Sequence, residues 1–369
     1  MPEWLDAARE GVTDLVGDQA GEWDLEGLLP VETLRTLGKQ GLLCAEVPVE
    51  YGGVGGSSAD SGALTAHTGG LCSSLRSVMT SQGMAAWTIQ RLGDTRQRQE
   101  YLPRLTGGEL AAVAFSEREA GSDVAALTTE IRADGDTVVV DGHKTWTTVA
   151  RYADLIVVFG RYGNEGAAVV VPAETPGVTV RPVPNPSGCR AAGHADVDLD
   201  AVRLPRGALL GGGGQQLQLL VTTALAYGRM SVAWGCVGIL RACLAAAASH
   251  AGTRRQFGHA LAEHQLVARH LAELLAAEQA ATRVCEHASR RWDDRSPEMV
   301  IATVLAKYVA STEAARGAAA AVQVLASAGA RDGHVVARAY RDAKLMELIE
   351  GSTEICQLIL ARHAVAQSH

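Results

Sequence analysis

The feature of this sequence that most constrains its fold is a change in hydrophobic periodicity, from helical to strand-like and back to helical. Residues 1–112 place apolar side chains at helical spacing, in segments separated by glycine clusters. Residues 113–210 contain short β-branched runs between turn residues, and residues 211–369 return to long helical segments. The order predicts a mainly α protein with a central β domain: an N-terminal α-helical domain, a middle antiparallel β-barrel and a C-terminal four-helix bundle.

The strand-like region is defined by short apolar runs. Residues 137–140 lie between Asp134-Gly135 and Asp141-Gly142, which are two Asp-Gly hairpin signals. Further runs follow at 155–158, 168–171 and 178–180. Their close spacing predicts a compact antiparallel sheet or barrel. The last region predicts four long helices at roughly 215–250, 264–291, 297–327 and 353–366.

Charge and cysteine content narrow the classes of protein. A net charge of -8 argues against nucleic acid as the main partner. The seven cysteines form no CxxC pair and no metal-ligand spacing, so we expect reduced thiols, a cytoplasmic protein and no metal. No basic segment followed by an apolar run opens the sequence, and we expect no signal peptide. The apolar stretch 230–248 is interrupted by glycines and Arg241, which favours a bundle helix over a membrane span.

One acidic residue near the C-terminus is a candidate base. Glu350 stands at a glycine-containing turn between two helical segments, after two apolar residues and before Ser352 and Thr353, which can cap the next helix. A carboxylate that projects from such a turn into an apolar cavity has a raised pKa and can act as a base. The alternative is that Glu350 only complements the N-terminus of the next helix. The local sequence leaves both interpretations open.

Four segments carry a family resemblance. They read AFSEREAGSD at 114–123, GHKTWTT at 142–148, RRQFG at 254–258 and EHQ at 263–265. Together with the Glu350 segment, and in this order and spacing over nearly the whole chain, they resemble the acyl-CoA dehydrogenase family. That resemblance implies a noncovalent FAD between the middle domain and the bundle, and an acyl thioester beside it.

The resemblance also implies roles for individual residues. Phe115 and Ser116 would contact the pyrimidine edge of the flavin, Trp146 would pack near the ring system, and Thr148 would lie close to flavin N5. From the bundle, Arg254, Phe257 and Gln323 would reach the FAD of a neighbouring subunit, so a homodimer or homotetramer is expected. A permanently charged, forked arginine suits a pyrophosphate. The remaining residues implied near the cofactor or the ligand are Ser352 and Glu354 on the cofactor side, and Ser122 and Arg229 on the thioester side.

The same resemblance makes Glu350 the catalytic base. In some members the base lies on the first bundle helix, just before an arginine, but here that position is Gly228 before Arg229. The implied reaction is removal of the Cα proton by Glu350 with hydride transfer from Cβ to flavin N5. Electrons would then pass to an electron-transfer flavoprotein or another acceptor.

Three departures from the family pattern affect the cofactor loops. Arg118 and Glu119 replace the usual Pro-Gly of the flavin loop. Val149 and Ala150 replace an Asn-Gly pair after the tryptophan strand, and Ala326 and Ser327 replace glycines that follow Gln323. These changes bear on local contacts with the cofactor and leave the predicted fold unchanged.

Arg76 and Ser77 are the best indicators of substrate. The segment 75–81 resembles the part of glutaryl-CoA dehydrogenases that recognises a substrate carboxylate through an Arg-Ser pair. A buried arginine needs a partner, which is either a polar acyl group or a carboxylate of the protein itself. The chain also looks like acyl-ACP dehydrogenases that make hydroxymalonyl or methoxymalonyl extender units for polyketides. We therefore expect dehydrogenation of a short polar acyl thioester on a carrier protein.

Three further functions stay open. One is a flavin oxidase or a nitroalkane-type relative, which oxygen would reoxidise rapidly. A catabolic dehydrogenase for short-chain or dicarboxylyl CoA thioesters would use the same pantetheine arm. A non-catalytic acyl-thioester binding or scaffold protein would keep the fold without the flavin.

Overall fold

The computed structural model describes residues 2–367 and begins with a helical domain. Two of its helices start at capping residues that the sequence supplies. Ser57 caps the fourth helix by accepting from the Asp60 N–H, and Asp94 forms a capping box with Gln97 at the sixth. The helices are α1 (Glu3–Val16), α2 (Ala20–Glu26), α3 (Val31–Lys39), α4 (Ser58–Leu71), α5 (Ser73–Leu92) and α6 (Thr95–Thr106). Most of α5 is buried, because it lies between the sheet and the C-terminal helices.

The middle domain is one seven-stranded sheet. Its strands are β1 (Ala111–Ala114), β2 (Glu130–Asp134), β3 (Thr137–Thr147), β4 (Leu155–Tyr162), β5 (Glu165–Pro172), β6 (Val178–Pro182) and β7 (Ala195–Pro205). The order is β1-β4-β2-β3-β7-β6, with β5 paired to β4. The pairs are antiparallel except that β1 runs parallel to β4 and β2 touches β4 through one parallel pair. Strand β7 alternates apolar residues with aspartates, and the sequence analysis did not identify it as a strand.

The two Asp-Gly pairs behave differently. The first forms the predicted hairpin, since Asp134 pairs with Thr137 across a two-residue turn. The hairpin prediction at Asp141-Gly142 is wrong, because β3 continues through this pair and the register shifts there in a bulge. Gly142 is required by crowding: a Cβ atom would lie 2.3 Å from Thr129 Oγ1.

The C-terminal helices are α7 (Leu217–Thr253), α8 (Gln265–Asp293), α9 (Met299–Leu325), α10 (Val335–Leu348) and α11 (Thr353–Ala366). A short hairpin of β8 (Arg255–Gln256) and β9 (His259–Ala260) separates the first two. Buried alanines on α9 let it pack closely against α7. Among the described residues, α7 is the one helix long and apolar enough to cross a membrane. In its most apolar 18-residue window 72% of residues are buried in the protein, as expected for a core helix.

Candidate active site

Glu350 lies in the turn that joins α10 to α11. The N-cap of α11 is Ser352, whose hydroxyl accepts from the Ile355 N–H at 3.4 Å, so the Glu350 carboxylate does not cap that helix. Glu350 has a positive φ of 55°, which is uncommon for a residue other than glycine. Its Oε2 atom is buried and makes no hydrogen bond within the described part of the chain. The turn therefore projects a carboxylate inward and leaves it free to accept a proton.

Two buried cations hold the backbone of this turn. The Arg229 Nε donates to the Glu350 carbonyl at 3.0 Å, and Lys307 Nζ donates to the carbonyls of Glu347 at 3.2 Å and Gly351 at 2.7 Å. Lys307 is fully buried and comes from the middle of α9. Arg229, which was predicted on the thioester side, thus holds the backbone of the residue that carries the candidate base.

The electrostatics of this pocket suit a base. Burial raises the pKa of Glu350 to about 7, although the charges of Arg229, Lys307 and Arg76 act in the opposite direction. A carboxyl group with a pKa near neutrality is a far better proton acceptor than an exposed glutamate, and about half of it is ionised at neutral pH.

A pH dependence follows from this pKa. We expect the rate of flavin reduction by substrate to rise about tenfold between about pH 6 and pH 8, because only the ionised Glu350 accepts the Cα proton. The sign is fixed by the raised pKa: protonation below about 7 removes the base. Anaerobic stopped-flow measurement of flavin bleaching across this range checks it. A flat profile would show that a group with a different pKa takes the proton.

Gly228 provides the space that the Glu350 carboxylate occupies. A Cβ atom at residue 228 would lie 2.3 Å from Glu350 Oε2 and 2.6 Å from its Cδ. The alternative base position on the first bundle helix and the Glu350 carboxylate therefore compete for one volume. The glycine at residue 228 therefore leaves the room that the glutamate at residue 350 needs.

Gly228→Ala is expected to slow flavin reduction by about tenfold or more, because the added methyl group displaces the carboxylate and small misplacements are expensive in catalysis. Single-turnover reduction with a fixed thioester measures it. Gly252→Ala is the matched control on the same helix, since a Cβ there meets nothing within 4 Å. Equal rates of flavin reduction in both variants would show that the space at Gly228 does not affect the reaction.

The residues expected on the flavin side lie at one end of β3 and in the loop after β1. Trp146 leaves its indole 52% exposed, an unusual state for a large aromatic side chain, and has a φ of 53°. Thr148 follows it and is half-buried, while Phe115 packs on Phe159 with ring centroids 4.4 Å apart. The Thr145 N–H donates to the Ser116 carbonyl at 2.8 Å, which ties the two segments together.

A buried ion pair that sequence reasoning missed fixes this loop. Lys144 is fully buried and donates to the Phe115 carbonyl at 3.0 Å and to Glu117 Oε1 at 2.8 Å. Glu117 also accepts from the Thr128 N–H at 2.7 Å and the Thr129 N–H at 3.0 Å. Burial alone would raise the pKa of Glu117, but these donors outweigh it and lower the pKa to about 2. With these hydrogen bonds, the Glu117 carboxylate fixes the loop that carries Phe115 and Ser116.

Two of the residues that depart from the family pattern have a strained, left-handed backbone conformation. Val149 has a φ of 71° and Ala326 a φ of 52°, where the family pattern has asparagine and glycine, two residues that adopt this region readily. A β-branched valine is a clear outlier there. Val149 is held by full burial and by its N–H, which donates to the Ala192 carbonyl at 3.0 Å. At Val149 and Ala326 the backbone thus adopts the conformation that asparagine or glycine would favour, and only the side chain differs from the family pattern.

The residues predicted to reach a neighbouring subunit lie at a separate cleft. Arg254 and Gln323 line one cleft of about 700 Å³ together with residues 324–328, at the end of α9 and beside the short β8–β9 hairpin. Phe257, in that hairpin, is 93% exposed and has a φ of 51°. A protruding phenylalanine next to a surface arginine is suited to contact another molecule.

The remaining expected residues are exposed or half-buried. Ser122 is exposed in the loop after β1, Ser352 is half-buried at the N-cap of α11, and Glu354 is exposed in its first turn. The chain thus supplies an exposed indole with hydroxyls at the sheet, and an arginine-lined cleft of sufficient size on the bundle. These features fit FAD, which when bound supplies a hydride acceptor.

Arg76 lies on α5 against α7 and α10 and is 1% exposed. Its two terminal nitrogens donate to Thr80 Oγ1 at 3.0 Å and to Met346 Sδ at 2.9 Å, and Nε has no partner. No carboxylate of the described residues pairs with it. The alternative of an internal salt bridge is therefore absent from this structure.

Ser77 does not accompany Arg76. Its hydroxyl donates to the Ser73 carbonyl one turn back at 2.9 Å. The hydroxyl beside the guanidinium is that of Thr80, which also bonds Ser231 Oγ at 2.7 Å. Helical spacing explains the difference, because residues four apart share a face of α5 and adjacent residues do not.

A helical domain, a small sheet and a helical bundle around an inward-facing glutamate together define a flavin-dependent acyl dehydrogenase architecture. Family models agree over most of the chain: the acyl-CoA dehydrogenase N-terminal domain matches residues 3–109, the middle domain 112–202 and the C-terminal domain 219–365. The chain belongs to the acyl-CoA dehydrogenase family and is an FAD-dependent oxidoreductase.

Individual relatives agree with this assignment. The solved structure of FkbI, for biosynthesis of the methoxymalonyl extender unit of the FK520 polyketide, is 64% identical with a TM-score of 0.94, and the match covers 97% of this chain and 99% of that one. The probable acyl-CoA dehydrogenase YngJ of Bacillus subtilis (strain 168) is 32% identical over 96% of both chains. The glutaryl-CoA dehydrogenase of Desulfococcus multivorans is 30% identical over 93% of this chain and 90% of its own.

Proposed function

We propose that this protein dehydrogenates a short polar acyl thioester, carried on an acyl carrier protein during synthesis of a polyketide extender unit, with Glu350 as the base. The observation that supports the polar acyl group is Arg76, a buried guanidinium with no carboxylate partner among the described residues. The 64% identity to FkbI supports the pathway.

The chemistry assigned to this chain's own residues is proton transfer and positioning. Glu350 takes the Cα proton of the thioester at its unpartnered Oε2 atom. Arg229 and Lys307 fix the turn through backbone carbonyls, so the carboxylate stays in one position as its charge changes. The Lys144–Glu117 pair positions Phe115 and Ser116 for the flavin.

A panel of thioesters tests the function. The purified holoenzyme is mixed anaerobically with hydroxylated, carboxylated and plain short acyl groups, each on CoA and on a carrier protein, and flavin bleaching is followed. We expect fastest bleaching with a polar acyl group on the carrier protein. Preference for plain butyryl-CoA would instead support the catabolic alternative, which the glutaryl-CoA and short-chain acyl-CoA relatives favour. A purified protein that neither contains nor takes up FAD would instead support the non-catalytic binding or scaffold function.

The site residues that lie on the bundle point to an assembly. We expect a homodimer or homotetramer, because Arg254 and Gln323 line an exposed cleft that does not contain Glu350, and Phe257 protrudes beside it, so that these residues can complete the cofactor site of a neighbouring subunit. Dilution to monomers should release FAD, and light scattering with flavin fluorescence measures both together. A monomer that retains full flavin would contradict it. A cytoplasmic location and an electron-transfer flavoprotein as acceptor complete the proposal.

A further inference from the structure

A small cavity lies between α4, α7 and the loop that joins α3 to α4. It has a volume of about 10 Å³, which is room for one water molecule. Three hydroxyl groups and one carboxyl group are among the groups that line it, those of Ser61, Tyr227, Ser231 and Glu46. A buried water molecule needs two to four polar partners, and this cavity supplies that number.

Ser231 connects this cavity to Arg76. Its Oγ lies 2.7 Å from Thr80 Oγ1, and Arg76 donates to the same Thr80 oxygen at 3.0 Å. A serine hydroxyl has one donor and two acceptor sites, so Ser231 can bond Thr80 and a molecule in the cavity at the same time. Within the described part of the chain, Thr80 offers the one oxygen that accepts from the guanidinium. The direction of the Thr80 hydroxyl therefore bears on the orientation of Arg76.

Glu46 forms another part of the cavity wall. Its Oε2 accepts from the Trp292 indole N–H at 3.1 Å. Burial raises the pKa of Glu46 to about 8, and the negative charge of Asp293 acts in the same direction. At neutral pH the carboxyl is therefore mostly protonated, so it can both donate and accept a hydrogen bond without cancelling the charge of Arg76.

We propose that the cavity binds one ordered water molecule that joins Glu46 to Ser231, and that Glu46 is thereby a positioning residue for Arg76. The hydrogen-bond chain runs from Glu46 through the water molecule, Ser231 and Thr80 to the guanidinium. A bridging water molecule is nearly as favourable as a direct hydrogen bond, and linked hydrogen bonds strengthen one another inside a protein. The positioning role rests on the proposed function, in which Arg76 selects a polar acyl group, whereas the water site does not.

A crystal structure of the holoenzyme tests the water site directly. We expect one ordered water molecule within hydrogen-bond distance of both Ser231 Oγ and the Glu46 carboxyl, and we expect Glu46→Leu to lack it. An unoccupied cavity in the wild type, or a water molecule bonded to only one of the two side chains, would overturn the inference.

Kinetics test the positioning role. Ser231→Ala and Glu46→Leu should each lower the kcat/KM ratio of polar to plain short acyl thioesters about fivefold, through the KM of the polar substrate, which is the scale for one lost hydrogen bond. Glu46→Gln should keep the wild-type ratio, because an amide also donates and accepts. Thr65→Val is the matched control: Thr65 lines the same cavity, but its hydroxyl donates to the Ser61 carbonyl at 2.8 Å.

The outcomes separate this inference from the proposed function. If the wild type has no preference for a polar acyl group, the proposed function fails and the positioning role fails with it, while the crystal structure still decides the water site. If the wild type has that preference and Glu46→Leu keeps the ratio at full flavin content, only the role of Glu46 fails. An equal fall in Thr65→Val and Ser231→Ala would assign the effect to packing of the cavity and overturn the hydrogen-bond chain.

Discussion

Glu350→Gln is expected to keep FAD bound and to slow flavin reduction by at least ~10²-fold, the low end for loss of a positioned base. Glutamine has nearly the same shape and fills the same space beside Gly228, so the turn between α10 and α11 should be preserved. The amide cannot accept the Cα proton, and no other unpartnered carboxylate atom of the described residues is buried in this part of the protein.

Single-turnover reduction under anaerobic conditions measures this effect free of the electron acceptor. Glu347→Gln is the control, because Glu347 lies in the same segment but is half-buried and already pairs with the exposed Lys344 at 2.9 Å. Exposed pairs of this kind contribute little, and its rate should stay near that of the wild type. Near-normal reduction in Glu350→Gln would place the base elsewhere.

The order of the domains was readable from the sequence because hydrophobic periodicity reports burial directly. The helical and strand-like regions have different periods, and the bundle helices are long, with an apolar stripe on α8 and apolar residues around most of α7 and α9. The second Asp-Gly pair shows the limit of this reasoning. The turn signal at Gly142 lies inside strand β3, where the glycine is needed because Thr129, next to the paired strand β2, approaches closely, and a reading of the dipeptide alone does not contain that pairing.

The candidate site likewise contains residues that could be predicted from the sequence and residues that could not. The pair of Gly228 and Glu350 followed from a family pattern, and the structure adds the reason, since the two side chains would occupy one volume. Lys144 and Lys307 were missed because a lysine in a strand or in a helix usually has a solvated amine. Each is fully buried with its amine on backbone carbonyls, and an isolated lysine in an alanine-rich helix was the available signal for Lys307.

Arg76 differs from the other buried cations in what surrounds it. Lys144 has a carboxylate, and Lys307 has two carbonyls. Arg76 has a hydroxyl, a thioether and an unpaired Nε. Burial of a charge without an ion-pair partner costs folding free energy. Either a bound ligand offsets that cost, or the folded protein is less stable by the same amount.

Arg76→Leu is therefore expected to weaken a polar acyl thioester by about 1–3 kcal/mol relative to the wild type, the scale for a buried polar partner left unpaired. The same change should leave butyryl thioesters equal or better when rates are compared well above pH 7, because the Arg76 charge lowers the pKa of Glu350 and its loss raises that pKa. Thermal unfolding should move to equal or higher temperature because a buried charge without an ion-pair partner is removed. Arg35→Leu is the control: it breaks a real ion pair, with Asp154 at 2.9 Å, away from the acyl pocket. That variant should lose stability and keep the substrate ratio. The kcat/KM ratio of polar to plain thioester, measured with flavin content and thermal unfolding, separates the two effects. If the ratio stays constant in Arg76→Leu while stability falls, Arg76 is a structural residue, and the polar acyl group loses its main support.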